Sequence, residues 1–346
     1  MRKAIAALAC VVATGFPNAD AMDFDRLGAR LSKQTHCAPS LFVHTEATYL
    51  APLADDSGNG LFTINDLEGA GTATVGTLNQ YSDEFTTAPR ITLGYRGLTD
   101  WGIQFRYWEI DVEGESSSNF PGNPVAPQNV STVGGSNFFN AKTLDLELTR
   151  DLSTRQTSLL GTFGVRYAEL EQGSQTNASG LVVDADTFDV FEQTSFSGSR
   201  AEGTGLTGSL SMLRSFRHHP TLALFASGRS SVLFGDAGAV ASSTTLLTGT
   251  NGVATGVGAA AGGIDEAFFI GEVQAGLQWS KFVSSFNARM FARAAFEYQY
   301  WGADGGTALA LSGASVPGES NGTALASADG FDNHLIGFAL STGFAW

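Results

Sequence analysis

Residues 90–113 read RITLGYRGLTDWGIQFRYWEIDVE. Ile91, Leu93 and Tyr95 fall on one face, with Arg90, Thr92 and Arg96 on the other. After a tight turn at Gly97 to Asp100, Ile103, Phe105 and Tyr107 oppose Gln104 and Arg106. A period of two is that of a β-strand, and so short a turn joins antiparallel neighbours. The apolar parity then runs on into Glu109, Asp111 and Glu113. One face of one strand is thus apolar as far as Tyr107 and acidic beyond it. A carboxylate facing lipid is costly, so the pattern predicts a strand that leaves a membrane near Trp108.

The same unit recurs along the chain. In LFVHTEATYL, Leu41, Val43, Ala47 and Tyr49 oppose His44, Glu46 and Thr48. In KTLDLELTR, Leu144, Leu146 and Leu148 oppose Asp145, Glu147 and Thr149. TSLLGTFGVRYAEL, GLTGSLSML, TLALFASGRSSVLF, FFIGEVQAGLQW, NARMFARAAFEYQYW and the ending HLIGFALSTGFAW repeat it. The count is ten strands, joined alternately by four short turns and five long polar loops at about 52–87, 114–141, 172–202, 236–265 and 302–331. This strict alternation and even count predict an all-β fold, a transmembrane antiparallel up-and-down β-barrel with short periplasmic turns and long extracellular loops. FDVFEQTSFSG, residues 188–198, also alternates. It is expected as a hairpin arm above the membrane; if it pairs with a further span, the barrel has twelve strands.

Alternation alone does not say which face is wet, since a secreted sandwich or propeller would turn its apolar faces inward. Aromatic residues at strand ends favour lipid: Trp101, Tyr107, Trp108, Tyr167, Trp279, Tyr298, Tyr300 and Trp301 are expected as interfacial girdles. Apolar runs last about as long as the 9–11 residues a tilted strand needs to cross. The polar faces then line a lumen carrying Arg90, Arg96, Arg106, Asp145, Glu147, Arg166, Arg229, Glu272, Arg289, Arg293 and Glu297, joined by His44 and Glu46.

The first residues, MRKAIAALACVVATGFPNADA, combine Arg2 and Lys3, an apolar run and Ala19-Asp20-Ala21. This is the order of a secretory signal, so residues 1–21 are expected to be removed, 22–40 to form a periplasmic segment and 41–346 the barrel. Cys37 is then left alone, and no intramolecular disulfide is expected.

The chain carries 34 acidic residues against 19 Lys and Arg, a net charge of −15, which excludes a general affinity for the phosphates of nucleic acid. The acids gather in the loops without the spacing of an ordered calcium loop, so no metal is expected, and no cofactor. Catalysis would need a histidine oriented by an acid beside a nucleophile. Only His334, near Asp332, lies toward the outer mouth, and one such pair is weak; no catalytic residue is assigned. TGTNGVATGVGAAAGG, residues 248–263, has neither lysine nor following helix, so it is no phosphate cradle.

LGYRGLTDWGIQFRYWEID, LDLELTRDLSTRQTSLLGTFGVRYAELEQ and GFALSTGFAW resemble the Legionella-type pore-forming outer-membrane protein family. The resemblance implies a bacterial outer-membrane barrel, a pore or adhesion-related surface protein, and carries over no substrate site. It also implies that Phe344 and Trp346 are read by the barrel-assembly machinery. The expected function is a pore for passive diffusion of small solutes or ions. A plugged structural or adhesion barrel acting through acidic loops is the alternative, and an outer-membrane hydrolase the third. The expected surroundings are outer-membrane lipid and lipopolysaccharide.

Overall fold

The computed structural model describes residues 40–54, 60–66, 72–77, 85–97, 101–121, 130–154, 157–183, 188–303, 307–316, 320–328 and 331–346. The expected signal and nearly all of the N-terminal segment lie outside the described residues. Ser40 opens the first strand.

Fourteen strands are described: β1 (Ser40–Ala54), β2 (Gly60–Asp66), β3 (Thr72–Thr77), β4 (Thr86–Arg96), β5 (Trp101–Pro121), β6 (Val130–Asp151), β7 (Ser158–Val183), β8 (Phe188–Phe216), β9 (His219–Gly249), β10 (Gly252–Val283), β11 (Ala288–Ala303), β12 (Ala308–Val316), β13 (Ser320–Ala328) and β14 (Phe331–Ala345). Ten of them close a barrel in the order β1-β14-β11-β10-β9-β8-β7-β6-β5-β4. Each barrel strand pairs antiparallel with its neighbours, and β14 closes against β1 from Phe42↔Ala345 to Ala54↔Asn333. The remaining four, drawn from the first and last long loops, make a separate sheet in the order β12-β13-β2-β3.

Ten spanning strands agree with the sequence. The long loops do not stay loops. β9 has 31 residues and β10 has 32, against the 9–11 that cross a bilayer, so the hairpins from β5 to β10 stand far above the membrane as one wall. β4, β1, β14 and β11 have 11, 15, 15 and 16 residues, leaving the opposite side short. The stretch 188–198 is the upper part of β8, continuous with its spanning part and paired with β7 and β9, not a separate arm.

The outer surface settles which face is wet. Leu93, Phe105, Leu146, Phe163, Leu210, Leu277, Phe338 and Leu340 are all exposed on it, a belt that water would not tolerate but hydrocarbon requires. Directly above the belt, facing the same way, comes a charged row that follows the sheet register: Glu109↔Lys142, Lys142↔Glu169, Glu169↔Glu202 and Glu202↔Asp236. Lys142 binds Glu169, Arg200 donates to Glu169 at 2.9 Å, and Tyr107 donates to Glu109 at 2.5 Å. Lysine and arginine bound in this way hold the Glu169 carboxyl below its usual range. The sequence-predicted exit near Trp108 coincides with this row.

Candidate functional site: a charged lumen under an apolar cap

Residues that share parity with Arg106 point inward, and nearly all the charges predicted for the lumen meet there. Arg106, on β5, donates to Glu272, on β10, at 2.6 Å. β5 and β10 stand five places apart in a ring of ten strands, so this pair spans the diameter. Arg166 reaches the same Glu272 at 2.8 Å and donates to Asp145 at 2.6 Å. Arg90 pairs with Glu46 and donates to Glu297 at 2.6 Å. Arg229 pairs with Glu147, which also accepts from Gln104 at 2.6 Å. Gln274 donates to Glu297 at 2.8 Å. With Arg293, five guanidinium groups stand against the five carboxylates Glu46, Asp145, Glu147, Glu272 and Glu297 among the described residues. The layer is charge-balanced and buried. Most of its lone pairs and donors are satisfied within the set, as buried charges require, with Arg90 Nε and Arg166 Nη1 left over.

Two predicted lumen residues fall outside the network. Arg96 lies lower, 3.6 Å from Asp151, and Arg289 stands exposed at the rim near the turn into β11. At the lower edge of the network, Arg293 donates to Gln278 at 2.8 Å and lies 3.6 Å over the Phe225 ring. His44 sits beside Glu46 and Phe291. Phe225 and Phe291 were not legible as lumen residues from composition, although each shares the inward parity of the nearest arginine.

Above the network the interior turns apolar. Trp108 and Trp301 are each 1% exposed and face each other at 6.0 Å, with Leu50, Ile110, Phe139, Leu170, Leu233, Phe268, Ile270 and Leu335 packed around them. This corrects two of the predicted girdle residues. Trp108 shares the parity of Arg106, and Trp301 that of Glu297, so both turn inward, where their indole N–H groups donate to Thr48 at 3.2 Å and Gln299 at 3.1 Å. Trp101, Tyr107, Tyr167, Trp279, Tyr298 and Tyr300 do lie on the outer face. His334 faces outward too, accepting or donating at 2.7 Å with the Tyr298 hydroxyl and lying against Tyr300, which is the position of an interfacial polar residue.

Higher still, the sheet of β12, β13, β2 and β3 lies along the inner face of the raised wall, against β7 to β10. Ala308, Ala310 and Ala326 pack on Ala239 and Ala241 of the tall wall. Gly256 and Gly258 allow the contact: a Cβ on either would come within 2.0 and 2.1 Å of the β12 carbonyls of Gly313 and Leu311. The glycine-rich stretch noted in the sequence is therefore a backbone-to-backbone seat. Outside, on the wall near the charged row, a recess of about 760 Å³ is lined by Phe138, Phe196, Glu171, Arg200, Glu202 and Asp236. Among the described residues no group of histidine, cysteine and carboxylate is placed to hold a metal.

Apolar belt, charged row, ten-strand closure and filled interior together define a transmembrane β-barrel of the outer-membrane type, with its lumen occupied by its own side chains. The chain matches no family model and no curated protein. Among solved structures it is similar to the outer membrane protease OmpT from Escherichia coli, at 12% identity and a TM-score of 0.40, covering 89% of this chain and 96% of that one. It is similar also to the P. putida toluene transporter TodX, at 8% identity and a TM-score of 0.25, covering 88% and 89%. OprG from Pseudomonas aeruginosa matches at 11% identity and a TM-score of 0.24, covering 88% and 97%.

Proposed function

We propose that the protein is a closed outer-membrane barrel that works through the β-structure it raises above the membrane, rather than a diffusion pore. The observation that carries this reading is the Arg106–Glu272 pair across the full diameter, roofed by Trp108 and Trp301. Solute passing through would have to strip buried charges of their partners and then displace a packed aromatic layer, and each step is costly. The charges assigned from sequence to a conducting lumen serve instead to hold opposite walls together. We further propose kinship with the Legionella-type family on the hairpins quoted above, a non-catalytic role, and a charged row that meets lipid and lipopolysaccharide headgroups. Phe344 and Trp346, stacked at 5.9 Å, are the proposed signal for barrel assembly.

Purified protein in a planar lipid bilayer tests the reading. The expected record is a flat baseline under applied voltage. Stepwise conductance that scales with salt would overturn closure in favour of the pore.

A further inference from the structure

Two edges of the raised wall lack a neighbouring strand among the described residues, and they are built differently. β5 continues to Pro121 paired with β6, but β4 accompanies it only as far as Trp108. On that edge the outward side chains are Glu109, Asp111, Glu113 and Glu115, all exposed. Charges and a terminal proline are the means by which sheets protect an edge from pairing. β10 pairs with β9 from Gly252 downward, but with β11 only from Phe269. Its free edge shows Val253 and Val257, 66% and 72% exposed. From Ala237 to Ile264 the β9–β10 hairpin carries no charged residue, within a chain of net charge −15. Its backbone donors and acceptors are thus offered unguarded at the far end of the molecule.

We propose that the β10 edge between Gly252 and Ile264 pairs antiparallel with the same edge of a second copy held in an opposing membrane. The proposal rests on the reading of the barrel as a platform for its raised strands. Charge selects the surface, because copies of an acidic protein repel except where neither presents charge. Direction selects the geometry. β10 runs from the extracellular tip toward the bilayer, so two copies in one membrane present parallel edges at equal height. Parallel bonds are slanted and need the strands offset along their length. Two copies in facing membranes present antiparallel edges about a two-fold axis, an isologous contact that closes on itself. Nothing in the pairing requires the cap sheet, which occupies the inner face through Gly256 and Gly258.

The test uses the full-length protein in phosphatidylcholine vesicles, with clustering followed by light scattering. Clustering is expected from the unaltered protein. It should fall at least tenfold when Val253→Glu and Val257→Glu are combined, since like charges would then meet across the axis. A synthetic peptide of residues 252–264, added in excess, should disperse the clusters of the unaltered protein. Leu309→Glu with Leu311→Glu, on the exposed face of β12, should leave clustering unchanged. Heat-dependent gel mobility reports that each variant keeps its barrel. Dispersed vesicles with unaltered protein overturn the proposal, as does clustering indifferent to the valine changes and the peptide. Association confined to one membrane, seen as a detergent-stable oligomer without clustering, overturns it as well. Conductance is read separately, so an open pore that still tethers vesicles would sink the closed-barrel reading and leave this one standing.

Discussion

Arg106 and Glu272 meet at 2.6 Å from strands on opposite sides of the barrel, 166 positions apart in sequence. Glu272 also lies 2.8 Å from Arg166 and 3.7 Å from Arg90, so one carboxylate serves three guanidinium groups. Glu272→Gln keeps the shape and removes the charge. Breaking a buried pair from one side costs about 3–5 kcal/mol, because the partner charge stays buried. Urea unfolding in vesicles should show a loss of that order. Arg96→Gln, at the more open Arg96–Asp151 pair, should cost no more than about 1 kcal/mol. Equal losses for the two variants would mean that the diametral network is not what holds the walls.

The five tryptophans divide by solvent. Trp101, Trp279 and Trp346 are exposed on the outer face, whereas Trp108 and Trp301 are sealed inside. Single-tryptophan variants in brominated lipid should show strong quenching for the first three and little for the other two. Aqueous iodide should also leave Trp108 and Trp301 unquenched. Lipid quenching of Trp108 as strong as that of Trp101 would return it to the girdle and remove the cap.

The cap also predicts a cost. Trp108→Ala would empty a site bounded by Trp301 and the aliphatic residues around it, and such truncations lose about 3–5 kcal/mol. The unheated variant should still migrate apart from its boiled form on a detergent gel, because the membrane strands do not depend on the cap. A variant that migrates identically in both states would show that the barrel cannot close without the indole.

Much of this architecture is legible in the chain, for a physical reason. In lipid the side-chain period of two must be kept along every crossing, so Leu144, Leu146 and Leu148 announce one face and Asp145 and Glu147 the other. The charge row is legible too, since Glu109 breaks that parity where the bilayer ends. The apolar cap is not, because above the membrane an indole on the inward face looks in composition like one on the outward face. Parity alone separates them: Trp108 follows Gln104 and Arg106, and Trp301 follows Glu297 and Gln299. The pairing of charges across the lumen is beyond any local pattern. Arg106 and Glu272 each look like a pore residue until the ring of ten strands sets them opposite one another.

The seat of the cap sheet supplies the last prediction. Gly256 and Gly258 bring β10 against β12 with no side chain between; around them pack alanines, Phe191 and Leu247 beside Ala324, and a Thr245–Ser312 hydrogen bond of 2.9 Å. Gly256→Leu would drive a branched side chain into the Gly313 carbonyl, and backbone cannot step aside as a flexible side-chain tip can. β10 pairs with β9 along its whole upper part and does not need the cap to stay in register. The sheet should therefore lift while the wall and barrel remain. Limited proteolysis should cut the variant within 304–330 at least tenfold faster than the unaltered protein, with heat-dependent gel mobility unchanged. The outward Val257→Leu, one residue on from the first and facing away from β12, should leave the cutting rate as it is. If Gly256→Leu is cut no faster, the contact seen at Gly313 is not what holds the sheet to the wall.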